Sequence, residues 1–379
     1  MKRERLLVDG QILQGKSRKR GFGNYAYRIL NDLLASKDFE IEVLLNSSGS
    51  LRNTREIMEF TREKSLKTHV FDAPILITHE YSQKRISRAQ KKYADVIDQI
   101  CPDYLFVLTP MAILHEQILN LDFKNSKIKK IGIYYDRISI DRINAKEVLS
   151  LSDLDLIRKF NELPKFDLLF AISAQGKNEI NSVYPATKVI THRLRIEQCQ
   201  NYLNGDQMLS VVNSGNHKKL KELVKNYEDY VFSSPIKRPM TVIGVSPLKL
   251  LGQVKLNFTE GMKFYSSVSV KKMSALYAES LFVIVPSLKE GLGLPVIEAL
   301  ERGCIPLYSP TIPAAEILNN ELFEFNPDTP FSLTNALGRV EALLATNSLE
   351  VNQSLQKAIS EYNKKVVGIS ARIREFAFE

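Results

Sequence analysis

Short apolar runs alternate along the chain with longer segments in which apolar positions recur at a helical period. This pattern predicts strands at 5–9, 40–45, 104–108, 128–134, 168–173, 208–213, 240–245, 281–286 and 304–309. It predicts helices at 23–35, 217–230, 268–279 and 294–302 and over much of the last forty residues. Buried strands that alternate with helices are typical of parallel sheets covered by helices. The predicted fold class is therefore α/β, with two Rossmann-like, doubly wound domains that face a cleft.

The chain is long enough for two domains of ordinary size, since it has 379 residues. A polar segment at 198–207, QCQNYLNGDQ, is the expected boundary between them. The predicted organisation is an N-terminal domain at 1–200, a C-terminal domain at 201–360, and a final helix at 361–379 that packs back toward the N-terminal domain. Ligands of such sheets bind beyond the carboxyl ends of the strands, so the loops there are the candidate sites.

Composition narrows the class of protein. Hydrophobic residues make up 44% of the chain, which excludes a disordered protein, and no run of eighteen apolar residues predicts a membrane-spanning helix. The N-terminus has no apolar segment typical of a secretory signal. The cysteines Cys101, Cys199 and Cys304 are far apart, which argues against a disulfide scaffold or a zinc site. We expect a cytoplasmic protein.

Positive charge is concentrated in the first half of the sequence. Residues 1–200 contain 33 basic and 25 acidic side chains, whereas 201–379 contain 19 and 18. The basic runs are Lys16, Arg18, Lys19 and Arg20; Lys84, Arg85, Arg88, Lys91 and Lys92; and Lys124, Lys127, Lys129 and Lys130. They are either solvated surface or a site for an anionic partner, such as a membrane on whose inner face the protein is peripheral. No nucleic-acid-binding motif accompanies them, so we expect no nucleic acid partner.

The most informative segment is 281–310, LFVIVPSLKEGLGLPVIEALERGCIPLYSP. A buried strand leads into a glycine-rich loop, and Pro295 marks the first turn of a helix. Backbone N–H groups at such a helix start can bind phosphate. Glu290 and Glu298 flank this turn, and a carboxylate can accept hydrogen bonds from two hydroxyl groups of a sugar or ribose. The alternative is a tight strand-to-helix turn with two surface glutamates.

This segment resembles the Glu-x7-Glu motif of the retaining, family-four nucleotide-sugar glycosyltransferases of the GT-B fold. Leu292 stands where the family commonly has Phe. The resemblance implies that Glu290 contacts the donor sugar and takes part in catalysis, and that Glu298 binds the ribose. The residues implied to contact the diphosphate are Gly291, Leu292, Gly293 and Leu294.

Further segments resemble the same family in the expected order. GFG, formed by Gly21, Phe22 and Gly23, is similar to the turn that approaches donor and acceptor, and Ser173 follows the strand that closes the first domain. Tyr135 and Asp136 stand where the family often has His-Asp, so a histidine general base is missing there. His79 and His115 are alternative bases, each more simply explained as a surface or packed residue. The resemblance does not require a protein base, because the donor phosphate can take the acceptor proton.

The segment SVVNSGNHKKLKEL resembles the turn that opens the second domain, where the family places an Arg and a Lys against the diphosphate. Asn216 stands near the Arg position, and Lys218, with Lys219 as its rival, is the candidate catalytic cation. His217 is interpreted as a helix-start neighbour. Glu316 matches a further acidic position of the family, and a capping role explains it equally well.

Together these features favour a retaining, metal-independent hexosyltransferase with no cofactor other than its co-substrate. It would move a sugar from a nucleotide-diphosphate sugar, bound by the second domain, to a glycan or lipid-linked acceptor bound by the first, in bacterial surface polysaccharide synthesis. No Asp-x-Asp motif lies near the glycine-rich turn to hold a metal ion. The alternative is a non-catalytic GT-B protein that binds a glycan, a membrane or a partner subunit.

Overall fold

The computed structural model describes residues 3–19, 21–73, 83–113, 116–202, 205–212, 215–245 and 261–377. The chain divides into two compact units, the first comprising Met1–Arg193 with Val367–Glu379 and the second Leu194–Val366. The sequence placed these boundaries at 200/201 and 360/361. Residues 194–202 belong to the second unit because they bind its long helix: Ile196 N donates to Asn363 Oδ1 (3.0 Å) and Tyr202 N to Asn352 Oδ1 (2.9 Å).

The described part of the first unit is built around a parallel sheet of seven strands in the order β3-β2-β1-β4-β5-β6-β7. Its strands are β1 Arg5–Asp9, β2 Glu40–Asn46, β3 Lys67–Phe71, β4 Tyr104–Val107, β5 Lys129–Tyr134, β6 Leu168–Ala171 and β7 Val189–Thr191. Its helices are α1 Gly21–Ser36, α2 Leu51–Glu63, α3 Gln83–Ile100, α4 Ile138–Asn144, α5 Leu151–Asn161 and α6 Ala174–Val183. The central strands are almost wholly buried, as expected of parallel strands in an α/β unit.

In its described residues, the second unit contains a parallel sheet of five strands in the order β10-β9-β8-β11-β12. Its strands are β8 Gln207–Val211, β9 Met240–Ile243, β10 Met262–Tyr265, β11 Ser280–Val285 and β12 Ile305–Tyr308. Its helices are α7 Leu220–Ser233, α8 Val270–Ala278, α9 Leu294–Glu301, α10 Ala315–Leu318 and α11 Ser332–Asn363, which has a kink at Asn347. Strand order reverses between β8 and β11, so their carboxyl ends form a topological switch point.

The C-terminal helix α12, Ile369–Ala377, belongs to the first unit. Its first backbone N–H, at Ile369, donates to Asp32 Oδ2 in α1 (3.0 Å), and Ser36 Oγ donates to Ser370 Oγ (2.7 Å). Arg374 pairs with Asp38 just beyond α1 (3.1 Å). These contacts attach the end of the chain to α1.

The apolar pattern found the central strands and missed β3, β7 and β10. All three lie at the edges of the sheets that the described residues form. In β3, KTHVF, only Phe71 is buried, so a continuous apolar run is absent. Among the described residues, no helix is both long enough and apolar enough to cross a membrane.

Candidate functional site

Two loops of the second unit meet at the switch point. The turn after β8 and the loop after β11 are joined by a backbone hydrogen bond from Leu288 N to His217 O (2.9 Å). The carbonyl of Leu288 in turn accepts from Thr311 Oγ1 (2.8 Å) in the loop after β12. The loops after β8, β11 and β12, which lie at the carboxyl edge of the sheet, are therefore joined by direct hydrogen bonds.

Lys218 and Glu290 form an ion pair across these loops. The Lys218 Nζ donates to Glu290 Oε1, and both side chains are largely buried, with 14% and 12% of their surface exposed. Lys219 points elsewhere and pairs with Asp328 (2.7 Å) and Glu222 (3.3 Å). The hydrogen bond to Asp328 raises the pKa of Lys219 above its ordinary value. Of the two candidate lysines, Lys218 is thus the one in contact with the glutamate of the motif.

The glycine-rich turn leads directly into α9. Gly293 is the N-cap of this helix and has a φ of 98°, a backbone conformation that favours glycine. A Cβ there would also lie 2.8 Å from the Cβ of Ala314. Leu292 is buried, whereas Gly291 and Leu294 are partly exposed. Pro295 has no backbone N–H and Val296 N donates to Gly293 O (2.9 Å), so the turn offers mainly the positive end of the helix dipole at a partly exposed helix start.

Glu298 lies farther along α9 and is held by two neighbours that the sequence did not single out. Tyr277 Oη donates to Glu298 Oε2 (2.8 Å), and Arg302 Nη1 donates to the backbone carbonyl of Glu298 (3.1 Å). Tyr277 is 1% exposed, and its burial, with the nearby Glu298 carboxylate, raises the pKa of its phenol well above the ordinary value. No motif marks Tyr277, which lies in the last turn of α8.

In the first unit, the GFG segment forms the first turn of α1, whereas the sequence predicted that the helix begins at Gly23. Gly23 is buried, and a Cβ there would clash with the backbone of Arg18. Close packing of two backbone segments therefore explains this glycine. Gly21 and Phe22 are exposed, Phe22 by 40%.

Tyr135 contacts Phe22 within the first unit. The two rings meet edge to face with centroids 4.8 Å apart, and Tyr135 Oη donates to the carbonyls of Leu108 (3.0 Å) and Phe22 (3.4 Å). Burial raises the pKa of Tyr135 well above its ordinary value. A phenol that is buried and donates to main-chain carbonyls is not a general base at neutral pH.

The remaining candidates have local structural contacts or lie outside the described residues. Asp136 Oδ1 accepts from Ile138 N (2.9 Å), and Ser173 is the buried N-cap of α6, where its Oγ accepts from Gly176 N (3.0 Å). Glu316 is exposed in the first turn of α10, whose N-cap is Ala314. The alternative bases His79 and His115, as well as the side chain of Asn216, lie outside the described part of the chain.

An Asp-x-Asp sequence does occur at Asp153 and Asp155, in α5 of the first unit. Asp153 pairs with Lys146 (2.7 Å) and caps the helix with Ser150, and the lysine hydrogen bond leads the interactions that lower its pKa to about 2. Asp155 pairs with the fully buried Lys159 (2.8 Å). Both carboxylates are therefore bound in ion pairs. In the described ranges, no group of three His, Cys, Asp or Glu side chains has the arrangement of a metal site.

The longest basic run forms a stripe on α3. Its members are Lys84, Arg85, Arg88, Lys91 and Lys92, and all five are exposed. The opposite face of the helix carries buried apolar residues, among them Ile86, Tyr93 and Ile97. At 100° per residue the five basic positions fall within about a third of the helix circumference. The five basic side chains of the run therefore lie on one face of α3 and form one exposed surface.

This architecture is shared by proteins of known structure. A structure described as "Trehalose-6-phosphate from E. coli bound with UDP-2-fluoro glucose" superposes with a TM-score of 0.64, at 14% identity and over 98% of each chain. The two parallel-sheet units and this likeness define the GT-B fold. Residues 196–366, nearly all of the second unit, match the family model of the glycosyl transferases group 1.

Two curated relatives are mannosyltransferases. The chain is 22% identical to the serotype-specific mannosyltransferase WbdA of Escherichia coli, over 85% of this chain and 42% of that protein. It is 28% identical to the O-antigen chain mannosyltransferase RfbU of Salmonella typhimurium, over 36% of this chain and 38% of that protein. The chain therefore spans about two fifths of the length of the curated relatives it matches.

Proposed function

We propose that the chain is a retaining, metal-independent hexosyltransferase that uses a nucleotide-diphosphate sugar in the synthesis of a surface polysaccharide. The observation that carries this proposal is the Lys218–Glu290 pair, placed at the switch point of a group 1 glycosyl transferase domain, beside a helix start. The two relatives named as mannosyltransferases favour mannose as the first sugar to test.

In the proposed donor complex, the diphosphate lies against the start of α9 and Lys218. The positive end of the α9 dipole and the Lys218 ammonium supply positive potential, which stabilises the charge that develops on the departing diphosphate. Glu298 accepts hydrogen bonds from the ribose hydroxyls. Glu290 accepts from hydroxyls of the sugar that is transferred.

Transfer breaks the bond between the anomeric carbon and the diphosphate oxygen, whose electron pair stays with the diphosphate. The acceptor hydroxyl forms the new bond on the same face of the sugar, so configuration is retained. Its proton passes to the departing phosphate oxygen. This route suits a first unit in which Tyr135 donates its proton to main-chain carbonyls.

The first unit is the proposed acceptor side, through the exposed Phe22 and the partly exposed Asp136, whereas Tyr135 and Ser173 are buried and support the structure around them. A glycan or lipid-linked acceptor would reach it at the inner face of the membrane, where the basic stripe on α3 offers an attachment surface for anionic lipid. The proposed location is therefore the cytoplasm, with peripheral attachment to that membrane.

Isothermal calorimetry with a panel of nucleotide sugars and their nucleoside diphosphates tests the donor site. The panel should include GDP-mannose, UDP-glucose, UDP-galactose and ADP-glucose. We expect saturable binding of at least one donor, and weaker binding after Glu298→Ala. Absence of binding across the panel by the folded protein would contradict the proposal.

A further inference from the structure

Tyr277 connects α8 to the candidate ribose-binding carboxylate on α9. Its hydroxyl donates to Glu298 Oε2 at 2.8 Å, while its ring is buried at the end of α8. A carboxylate has two oxygens with about four acceptor positions in all. The bond from Tyr277 occupies one position on Oε2, and within the described residues no hydrogen bond is made to Oε1, so its positions can accept from a ligand.

The tyrosine is itself held in place from two sides. The guanidinium of Arg302 lies over its ring, 4.6 Å from the centroid, and Cys304 Sγ donates to its backbone carbonyl (3.1 Å). Arg302 also donates to the backbone carbonyl of Glu298 (3.1 Å). Arg302 therefore contacts both Tyr277, which donates the hydrogen bond, and Glu298, which accepts it.

A phenol of raised pKa remains protonated at neutral pH. Burial comes first among the causes that raise the pKa of Tyr277, followed by the nearby charge of Glu298. The hydroxyl therefore donates to the carboxylate, which stays an acceptor toward the hydroxyls of a ligand. This geometry orients the carboxylate before any ligand binds.

We propose that Tyr277 is a positioning residue, which fixes the Glu298 carboxylate so that Oε1 receives the 2′,3′-diol of the nucleotide ribose. The inference rests on the proposed donor site. The torsion that turns a glutamate carboxylate is broad, so an untethered Glu298 would sample orientations unable to accept both hydroxyl groups. Tyr277 removes that freedom before binding, which strengthens recognition of the diol.

A purely structural role for Tyr277 makes a different prediction. If the hydrogen bond only joins α8 to α9, its loss weakens every ligand of the second unit alike. If it positions Glu298, its loss weakens only ligands that carry the diol. A ribonucleotide and its 2′,3′-dideoxy counterpart therefore separate the two roles.

The test is calorimetry on wild-type protein and Tyr277→Phe with two ligands. The first is the nucleoside diphosphate, UDP, GDP or ADP, that wild-type protein binds best, and the second is its 2′,3′-dideoxy analogue. Tyr277→Phe keeps the ring and removes one oxygen. We expect a three- to tenfold loss of affinity for the ribonucleotide and a change below about 1.5-fold for the dideoxy analogue.

Tyr230→Phe is the matched control. Tyr230 is a fully buried tyrosine of the same unit, whose hydroxyl accepts from Arg238 N (3.2 Å) just before β9, at the amino end of the sheet. It should leave both affinities unchanged. Equal losses for both ligands in Tyr277→Phe, or no loss for either, would overturn the inference. The proposed function itself is judged separately, by nucleotide binding to wild-type protein and its loss in Glu298→Ala.

Discussion

Lys218 and Glu290 are 72 positions apart in the sequence, and the Lys218 ammonium donates to a carboxylate oxygen of Glu290. The pair joins the turn after β8 to the loop after β11, which is the sequence segment richest in candidate chemistry. In the proposed mechanism the lysine serves the diphosphate and the glutamate serves the sugar. Their contact therefore brings the residue proposed to bind the diphosphate next to the residue proposed to bind the transferred sugar.

Lys218→Ala should reduce turnover at least tenfold, which corresponds to about 1.4 kcal/mol in the activation barrier. The lost ammonium no longer stabilises the charge on the departing diphosphate. Steady-state kinetics with the preferred donor checks this. Lys219→Ala is the matched control, since Lys219 pairs with Asp328 and Glu222, and it should change turnover by less than threefold. A larger effect of Lys219→Ala than of Lys218→Ala would reverse the assignment.

The two glutamates of the motif should differ in what they affect. Glu298→Ala should weaken nucleotide binding by roughly 1.5–3 kcal/mol, because hydrogen bonds from the ribose to a charged group are lost. Glu290→Ala should lower turnover with little effect on nucleotide affinity, because its proposed partner is the sugar. Calorimetry with the nucleoside diphosphate, together with kinetics, separates these effects. Unchanged affinity in folded Glu298→Ala would remove that residue from the site.

Activity should persist in EDTA. The proposed site stabilises the diphosphate with Lys218 and the start of α9, so a divalent ion is not required for charge compensation. Nucleotide release measured with and without excess EDTA checks this. A loss of activity that magnesium or manganese restores would contradict the arrangement.

Stability of the first unit should fall as the pH falls from about 6.5. His192 lies just after β7 and is 4% exposed, and its Nδ1 has no hydrogen-bond partner within the described residues. Burial lowers its pKa from 6.5 to about 4. The unfolded chain therefore binds a proton that the folded chain excludes, which lowers the free energy of unfolding by about 2 kcal/mol at pH 5.

Denaturant unfolding of wild-type protein and His192→Phe at pH 7.5 and pH 5 checks this prediction. The ring can be replaced because it packs against Phe170, with centroids 5.9 Å apart. The variant should lose about 2 kcal/mol less stability than wild type between the two pH values. Equal pH dependence in the two proteins would show that His192 is protonated as easily in the folded state.

The basic stripe on α3 should bind anionic vesicles. Binding should rise with the fraction of anionic lipid and fall with added salt, because surface charges are screened over about 8 Å at physiological ionic strength. Co-sedimentation is the measurement. Neutralising the stripe, Lys84, Arg85, Arg88, Lys91 and Lys92, should weaken binding and leave nucleotide affinity unchanged.

The matched control neutralises an equal number of exposed lysines in the second unit. They are Lys221, Lys225, Lys237, Lys271 and Lys272. This variant should keep its affinity for the vesicles. If wild-type protein does not bind anionic vesicles at low salt, the proposal of membrane attachment through α3 is wrong.

The sequence predicted the central strands because they are buried on both faces and read as continuous apolar runs, as in β11, SLFVIV. The edge strands β3 and β10 were missed for the opposite reason, since both are only partly buried, whereas the buried edge strand β12 was predicted. The sequence put the domain boundary at 200/201, whereas the first unit ends at Arg193, because residues 194–202 are bound to α11. Such contacts between distant segments leave no local pattern.

Part of the candidate site could be found from the sequence in the same way. Glu290 and Glu298 lie in one compact segment, where motif and local structure coincide. Tyr277 could not be found, because its partner Glu298 is 21 positions away and the contact depends on how α8 packs beside α9. The packing reason for Gly23 was hidden as well, since it depends on the path of the backbone near Arg18.

Nucleotide release from a panel of nucleotide sugars tests the central claim most directly. Wild-type protein should release nucleoside diphosphate slowly from at least one donor, and faster when a bacterial glycolipid fraction is added as acceptor. Glu290→Ala should bind that donor's nucleoside diphosphate as tightly as wild type and release at least tenfold less. Binding without release in any combination would identify a non-catalytic GT-B protein and contradict the proposed transferase.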